Sequence, residues 1–278
     1  MPFTHAPILR ILQEIRQRIP EFQPKSLLDF GTGPGTAIWA ASEVWPCIEK
    51  IVGVDVSEPM ILLAEKLLNQ ELARKCEMRR YLTFSEEKEK FNAVIASFVF
   101  QEISDERMKI LTLQNLLQYA QDFFIVVERG TPMGFDTVKE LRELVLSERK
   151  DFHVFAPCAH DKQCPLTTGW CHFKQRVQLT PLQQELFAYK DNYEDQKFSY
   201  VVFRRGEREG EHSFWPRIVN SPLKRGEHVL LDVCDKEGDL KRFVASKSQG
   251  KSIYYDARKS KWGDLWPHLP KGIHNTSK

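Results

Sequence analysis

The sequence predicts an α/β fold in which a mostly parallel sheet is covered by helices on both of its faces. Three observations carry this prediction: short apolar strands alternate with amphipathic helices, a glycine-rich turn follows the first strand, and carboxylates stand where strands end. Strands that alternate with helices are typical of parallel sheets, because each crossover helix packs back onto the sheet. The 278 residues, 42% of them hydrophobic and 28% charged, suffice for a substantial core. No apolar run approaches the ~20 residues of a membrane span, so no membrane partner is expected.

The elements of the first half follow one another in a regular order. Apolar residues at helical spacing predict an amphipathic helix over Phe3–Arg18. An apolar strand then ends at Asp29, and a helix begins at Thr36 after a loop that contains three glycines. A second strand and helix repeat the pattern and leave Asp55 at the end of the strand.

The loop between the first strand and the first helix after it predicts a site for a nucleoside cofactor. Glycine is required where a tight turn brings backbone amides against a ligand, because a Cβ would clash there. An acid about 20 positions after such a turn suits a pair of ribose hydroxyls. The segments "LLDFGTGPGT" and "VGVDVSEPM" resemble the class I S-adenosylmethionine-dependent methyltransferases, whose fold is Rossmann-like. The alternative is a fold of this class with an empty crevice. The cofactor-binding residues that the resemblance implies are Asp29, Gly31, Gly33, Gly35 and Asp55.

The sequence does not identify residues that would carry out a methyl transfer. Two further apolar strands, in Phe91–Ile103 and Asp122–Leu144, fit the same sheet. The stretch after the fourth strand reads "ASFVFQE" and lacks the Asp/Asn-Pro-Pro-aromatic turn typical of enzymes that methylate exocyclic base nitrogens. Glu102 and Glu128 are candidate bases, although carboxylates at strand ends are more often solvated or capping. Catalytic activity therefore stays open.

Three of the six cysteines fall within fourteen positions. Cys158, Cys164 and Cys171 are spaced Cys-x5-Cys-x6-Cys in turn-rich sequence, and Cys234 is the one further cysteine of the second half. Four thiolates, three local and one distant, suit a tetrahedral zinc ion or a cubane iron–sulfur cluster, and the spacing favours neither. Free thiols are one alternative. A Cys/His zinc site would instead recruit the two histidines of the same segment, His160 and His172.

Charge is unevenly distributed between the two halves of the chain. Residues 1–157 carry 19 Lys and Arg against 23 Asp and Glu, whereas residues 158–278 carry 21 against 15. Cations interleaved with aromatic residues are typical of RNA-binding surfaces, where cations neutralise phosphates and rings stack on unpaired bases. Alternating runs such as Ser199–Phe203 and His228–Val233 predict strands of a small β-rich unit. The predicted phosphate contacts are Arg204, Arg205, Lys224, Arg225, Lys241, Arg242, Lys259 and Lys261.

The second half resembles a specific family. The segments "PCAHDKQCPL", "WCHFKQRVQ", "KFSYVVFRR" and "WPRIVNSPLKRGEHVLLDVC" are similar to the Rsm-type family of mitochondrial small-subunit ribosome assembly proteins, and the match runs from Leu27 to about Cys234. The resemblance implies location in the mitochondrial matrix, although Met1–Pro20 does not look like a transit peptide. It also implies small-subunit rRNA and ribosomal proteins as partners. The chain departs from the family at Arg129, where the family tends to have proline. The implied ligands of a [4Fe–4S] cluster are Cys158, Cys164, Cys171 and Cys234.

Three functions are compatible with these patterns. The first is an assembly factor that binds rRNA and holds S-adenosylmethionine; the second is an active rRNA methyltransferase; the third is a metal-stabilised ribosomal protein with a vestigial crevice. The predicted segments are a methyltransferase-like domain over 1–150, a cysteine-rich iron–sulfur loop over 151–190, a basic β-rich unit over 191–270 that completes the cluster site, and a disordered tail over 271–278.

Overall fold

A computed structural model describes residues 2–82 and 89–268. Among these residues, eight strands form a large sheet in the order β3-β2-β1-β4-β5-β8-β6, with β7 also paired to β8. The first five strands in this order are parallel, and β8 runs antiparallel to β5. The predicted Rossmann-like α/β class is confirmed. The strands of the large sheet are β1 (Ser26–Phe30), β2 (Lys50–Val54), β3 (Cys76–Arg79), β4 (Phe91–Ser97), β5 (Ala120–Arg129), β6 (Phe152–Ala156), β7 (Phe173–Gln178) and β8 (Tyr193–Arg205).

Helices cover both faces of this sheet. Successive side chains of a strand point to opposite faces, so adjacent residues contribute to different cores. Leu27 and Ile125 face the core that includes α1 and α2, whereas Leu28 and Val126 face the core that includes α5 and α6. The helices are α1 (Pro2–Arg18), α2 (Thr36–Val44), α3 (Glu58–Leu67), α4 (Gln70–Lys75), α5 (Glu106–Tyr119), α6 (Pro132–Glu148), α7 (Pro181–Phe187) and α8 (Lys251–Lys259).

The long strand β8 positions the cysteine-rich segment. One edge of β8 pairs with β5, and its other edge pairs with β7 and then with β6. Ala156 at the end of β6 lies opposite Val202, and Phe173 at the start of β7 lies opposite Phe198. Residues 157–172 therefore leave the sheet and return to the same strand edge a few residues further along. Residues 199–201 of β8 face this segment.

The C-terminal part forms a second sheet with a core of its own. The sheet has the order β10-β11-β12, with β9 paired to β11. Phe243 packs with Tyr254 of α8 and with Trp266 in this core. The register places Arg217 opposite Cys234. The strands are β9 (Arg217–Ile218), β10 (Leu223–Lys224), β11 (His228–Cys234) and β12 (Leu240–Ser246).

The structure differs from the expected segments at one strand. Ser199–Phe203, expected in the small unit, lies in β8 of the large sheet. This run is buried throughout, because it pairs with β5 on one edge, while β6 and residues 157–172 cover the other edge and the sheet is covered on both faces. His228–Val233 does lie in the small sheet. The predicted tail at 271–278 lies outside the described residues, and no helix within the described ranges is long and apolar enough to cross a membrane.

A buried ion pair joins α1, the cysteine-rich segment and the small sheet. Arg217, which is 2% exposed, donates to the Glu14 carboxylate from Nη2 at 2.5 Å and from Nη1 at 3.1 Å. Its Nε donates to the carbonyl of Pro157 at 2.9 Å, and Nη1 donates to that of Gly263 at 2.7 Å. Arg18 donates a further bond to Glu14 at 3.0 Å. Burial disfavours the charged form of Glu14, but the two arginines outweigh this cost and hold its pKa below the usual range.

We expect Glu14→Gln to lower the free energy of unfolding by about 3 kcal/mol, because it leaves the buried Arg217 guanidinium without a counter-charge. The pKa of Glu14 is lowered on folding, so its stabilisation is present above the unfolded-state pKa and is lost as pH falls through the folded-state pKa. Urea unfolding at neutral pH measures the effect. Glu49→Gln is the control, since Glu49 pairs with Lys25 in solvent. Equal stability of the two variants would contradict the prediction.

Candidate cofactor crevice and cysteine cavity

The glycine loop lies at the carboxyl end of the parallel strands, between β1 and α2. Gly31, Gly33 and Gly35 have φ values of 71°, 51° and 81°, in the left-handed region that favours glycine. The amides of Gly31 and Thr32 donate to the carbonyl of Val54 at 2.8 and 2.9 Å, which ties the loop to the end of β2. A Cβ built on Gly33 would meet no atom within 4 Å. The loop therefore presents open backbone at this position.

Asp55 faces the loop from the end of β2. Its Oδ2 accepts a hydrogen bond from the Gly33 amide at 2.8 Å, and its Oδ1 accepts one from the Ser57 amide at 2.9 Å. Each carboxylate oxygen has two lone pairs, so both oxygens can still accept from ligand hydroxyls. The structure thus brings the predicted ribose-binding acid against the predicted glycine loop.

Asp29 is fully buried beneath the same loop. Thr32 Oγ1 donates to its Oδ2 at 2.7 Å, whereas Oδ1 has no hydrogen-bond partner among the described residues. Burial, opposed by the Thr32 bond and reinforced by the charge of Asp55, raises the pKa of Asp29 to about 7. Asp29 therefore holds the loop through Thr32 and keeps one buried oxygen unpaired.

The two candidate bases lie beyond β4 and at the end of β5. Glu102 is exposed, whereas Glu128 is fully buried and accepts a hydrogen bond from the Phe100 amide at 2.9 Å. Burial is the main cause that raises the pKa of Glu128 to about 7. The same turn brings Val99 against the glycine loop, where a Cβ on Gly31 would lie 2.7 Å from Val99 Cγ2. Glu128 thus fixes the turn that closes onto the loop.

The four cysteines of the sequence prediction line one cavity. The cavity has a volume of about 50 Å³ and lies where residues 157–172, β8 and the small sheet meet. Cys158, Cys164 and Cys171 come from the segment, and Cys234 comes from the end of β11. Ser199 of β8 holds the segment in place by donating from Oγ to the carbonyl of Cys171 at 2.8 Å.

The cavity disfavours charge on its thiols unless positive groups compensate. Burial is the largest cause that raises the pKa of Cys164, Cys171 and Cys234, and the neighbouring cysteines raise each of them further. Four thiolates at this place would therefore need a cation or a positively charged wall.

Two buried arginines supply such a wall, and the sequence analysis missed both. Arg142 of α6 and Arg217 line the cavity and are 3% and 2% exposed. Arg142 Nη2 donates to the carbonyls of His160 and Lys162 at 2.9 and 2.8 Å. Its Nε and Nη1 are buried and have no hydrogen-bond partner in the described part of the chain. Arg142 therefore brings unpaired donors to the cysteines.

Metal coordination itself stays a prediction. Within residues 2–82 and 89–268, no group of three or more His, Cys, Asp or Glu could hold a metal ion as placed. Of the alternative ligands, His160 lies with Nε2 at 3.5 Å from Cys234 Sγ. His172 stacks on Trp170 instead, with ring centroids 5.2 Å apart.

Comparison with known proteins decides the family. A profile described as mitochondrial small ribosomal subunit Rsm22 matches residues 1–267. The chain belongs to the Rsm22 family. The human mitochondrial ribosome assembly protein METTL17 is 34% identical over 280 residues, which cover 95% of this chain and 60% of that protein. The Saccharomyces cerevisiae mitochondrial ribosome assembly protein RSM22 is 23% identical over 96% of this chain and 66% of its own length. The predicted Rsm-type resemblance is confirmed.

Solved methyltransferase structures are more distant from this Rsm22-family chain. The plantazolicin methyltransferase BpumL with SAH has a TM-score of 0.48 and 16% identity, over 74% of this chain and 86% of that chain. A putative RNA methyltransferase from Pyrococcus horikoshii has a TM-score of 0.45 and 14% identity, over 73% and 83%.

The cations predicted to contact RNA have different surroundings in this Rsm22-family chain. Lys241 and Arg242 form ion pairs with aspartates of the small sheet, and Arg205 pairs with Asp151. These three charges are already neutralised. The other predicted contacts are partly or fully exposed and form no ion pair with any residue of the described ranges; they are Arg204, Lys224, Arg225, Lys259 and Lys261.

We expect buried Asp29 to make the protein less stable as pH rises from about 4 to about 7. Its pKa is about 7 when folded and 3.8 when exposed, so the unfolded state loses the proton first and is favoured across this window. Asparagine cannot ionise, so Asp29→Asn should flatten the dependence of the unfolding free energy on pH. Glu128→Gln should reduce this loss of stability further, since its pKa is also about 7. Urea unfolding across this pH range tests both; an unchanged profile in Asp29→Asn would refute the assignment.

Proposed function

We propose that this chain is a mitochondrial assembly protein of the small ribosomal subunit that binds rRNA, holds a [4Fe–4S] cluster and binds S-adenosylmethionine. Membership of the Rsm22 family supports the role in ribosome assembly, since the named relatives are mitochondrial ribosome assembly proteins. The names of these relatives also support a mitochondrial location, and we propose that the protein lies in the matrix. The observation that carries the cluster is the cavity in which four cysteines meet two buried arginines.

The cavity suits an anionic group. A cluster ligated by four thiolates is negatively charged, and a buried negative charge needs compensation. Arg142 offers Nε and Nη1, which are buried and unpaired in the described part of the chain. N–H groups that donate to cluster or thiolate sulfur stabilise such a charge. Arg217 lies directly opposite Cys234, and because Arg217 and Arg18 share the single carboxylate of Glu14, these three groups carry one net positive charge.

The same cavity favours a cluster over a single zinc ion. Zinc draws its thiolates to about 2.3 Å from one centre, whereas four irons and four sulfides fill the space between their ligands. The cysteines here surround a cavity of about 50 Å³. A bound cluster supplies a redox-active centre and adds its binding free energy to folding. Since Cys234 belongs to the small sheet and the other ligands to residues 157–172, the four thiolates would also join these parts.

The glycine loop supports binding of S-adenosylmethionine. The packing of Val99 is sufficient reason for glycine at Gly31. No packing contact explains Gly33, which combines a positive φ, open space and an amide directed to Asp55. Asp55 would accept hydrogen bonds from the ribose hydroxyls, and the loop would lie along the rest of the cofactor.

An active rRNA methyltransferase is the second candidate, because the crevice retains its cofactor-binding residues. Against it, Glu128 is engaged by the Phe100 amide, and the turn after β4 lacks the Asp/Asn-Pro-Pro-aromatic pattern whose oxygens would accept hydrogen bonds from a target amine. A structural ribosomal protein with a vestigial crevice is the third candidate.

We expect protein purified without oxygen to contain about four irons and four acid-labile sulfides per chain. Cys164→Ser and Cys234→Ser should lose them, because each removes one ligand of four. Cys47→Ser is the control, since Cys47 lies outside the cavity, with Sγ near the carbonyl of Pro24. Finding one zinc ion and no sulfide would replace the cluster by a zinc site. Finding neither iron nor zinc would overturn this part of the proposal.

S-adenosylmethionine should raise the midpoint of thermal unfolding, by an amount equivalent to about 2.7 kcal/mol at a hundredfold excess over Kd. Asp55→Ala should abolish the shift, whereas Asp239→Ala, at an exposed site of the small unit, should retain it. No shift in the wild type would favour the vestigial crevice. Transfer of a labelled methyl group to small-subunit rRNA would establish the second candidate instead.

A further inference from the structure

We infer that Trp170, His172 and Trp262 form a stacking platform for an unpaired RNA base. This inference rests on the proposed function, because it says where single-stranded rRNA would be held. The three rings stand in series: Trp170 and His172 lie 5.2 Å apart with planes 20° from parallel, and His172 meets Trp262 edge-on at 4.8 Å. Trp170 is the outer member of this series.

Trp170 is both exposed and fixed in orientation. Its indole Nε1 donates to the carbonyl of Gly130 at 3.0 Å, and 36% of its surface is exposed. His172 stacks against one face of the indole, so the opposite face is the one on which a base could stack. An aromatic ring held in this way loses little conformational entropy when a base stacks on it.

The surface beside these rings is positively charged. Lys174 Nζ lies 5.4 Å from the ring centroid of Trp262, and Lys197 stands opposite Lys174 in the β7–β8 pairing. Within the described ranges, no carboxylate forms an ion pair with either lysine. Like charges directly opposite each other in a sheet repel. The nearby Asp195 carboxylate is already bound by Arg176, so a further anion would relieve this repulsion. A phosphate next to the stacked base would supply that anion.

Aromatic faces next to unpaired cations favour single-stranded RNA over a protein partner. Proteins that bind single strands combine stacking rings with cations that follow the backbone, and each stacked base contributes about 1–3 kcal/mol. Duplex RNA keeps its bases stacked on one another and cannot use such a platform. Of the predicted phosphate contacts, exposed Lys261 directly precedes Trp262, whereas Lys241 and Arg242 are neutralised in ion pairs.

The test is fluorescence anisotropy of the full chain, purified without oxygen, with a labelled single-stranded RNA of about twelve nucleotides and with the same sequence as a duplex. We expect Trp170→Leu to weaken binding of the single strand about tenfold and to change duplex binding less than about twofold. Trp170→Phe, which keeps an aromatic face, should recover most of the loss. Lys174→Gln combined with Lys197→Gln should lower the salt slope of binding by about 0.7 per lysine.

Tyr81→Leu is the matched control. Tyr81 is 65% exposed and lies beside Arg80, at 5.6 Å, so it is an exposed ring with a cation elsewhere on the surface. Equal unfolding midpoints and iron contents show that the variants fold alike. The platform is wrong, while the proposed function stands, if the wild type binds RNA and Trp170→Leu binds the single strand as tightly as the wild type or as Tyr81→Leu. The same conclusion follows if Trp170→Leu weakens binding of the single strand and of the duplex equally. If Trp170→Leu loses binding to ribosomal proteins but keeps binding to RNA, the rings belong to a protein contact. If the wild type binds neither the single strand nor the duplex, both the platform and the RNA-binding part of the proposed function are overturned.

Discussion

The ion pair between Glu14 and Arg217 connects parts of the chain that are far apart in sequence. Arg217 also donates to carbonyls on both sides of it, at Pro157 and Gly263. A buried guanidinium is tolerated only when all of these acceptors are present together, because losing one leaves an uncompensated charge. Docking of the small sheet, closure of the cysteine-rich segment and placement of α1 are therefore mutually dependent. Cys234, which lines the cavity, lies opposite the anchored Arg217 in the small sheet.

The two candidate sites have opposite electrostatic character. At the glycine loop, the buried carboxyl group of Asp29 has a pKa of about 7, and its Oδ1 accepts no hydrogen bond from the described part of the chain. At the cysteine cavity, the buried guanidinium group of Arg142 has two donors, Nε and Nη1, without an acceptor within residues 2–82 and 89–268. Each site holds buried polar atoms without a protein partner among the described residues, which a bound group or an ordered water would pair. The crevice thus suits a cofactor rich in N–H and O–H groups, and the cavity suits an anion.

Local patterns in the sequence predict the parallel half of the sheet and the glycine loop. They suffice because the strand ends, glycines and carboxylates of this half follow one another within a few tens of residues of sequence. Cys234 is grouped with the three local cysteines because it is the one further cysteine of the second half, and the family resemblance implies that these four are the cluster ligands. Arg142 was missed although a signal existed: it stands in the apolar stripe of α6 with Leu141 and Val145. A lone charge at helical spacing among core residues is such a signal.

Other features could not be read from the sequence, because they depend on long-range pairing. Ser199–Phe203 has the composition of a half-buried strand, and its burial follows from pairing with β5 on one edge and from the cover of β6 and residues 157–172 on the other. Arg217 looks like one more surface cation until Glu14 is found beside it. His172 was weighed as a metal ligand, and its stacking between Trp170 and Trp262 became visible only in three dimensions.

The collinear placement of β6 and β7 along β8 gives the cysteine-rich segment a modular character. Ala156 and Phe173 lie on one strand edge, opposite Val202 and Phe198, so a bridge of about three residues would span the gap that residues 157–172 now fill. The sheet does not need the segment for its own continuity. A sheet of this topology accommodates the cysteine-rich segment as an insertion within a single edge strand, without any change in strand order.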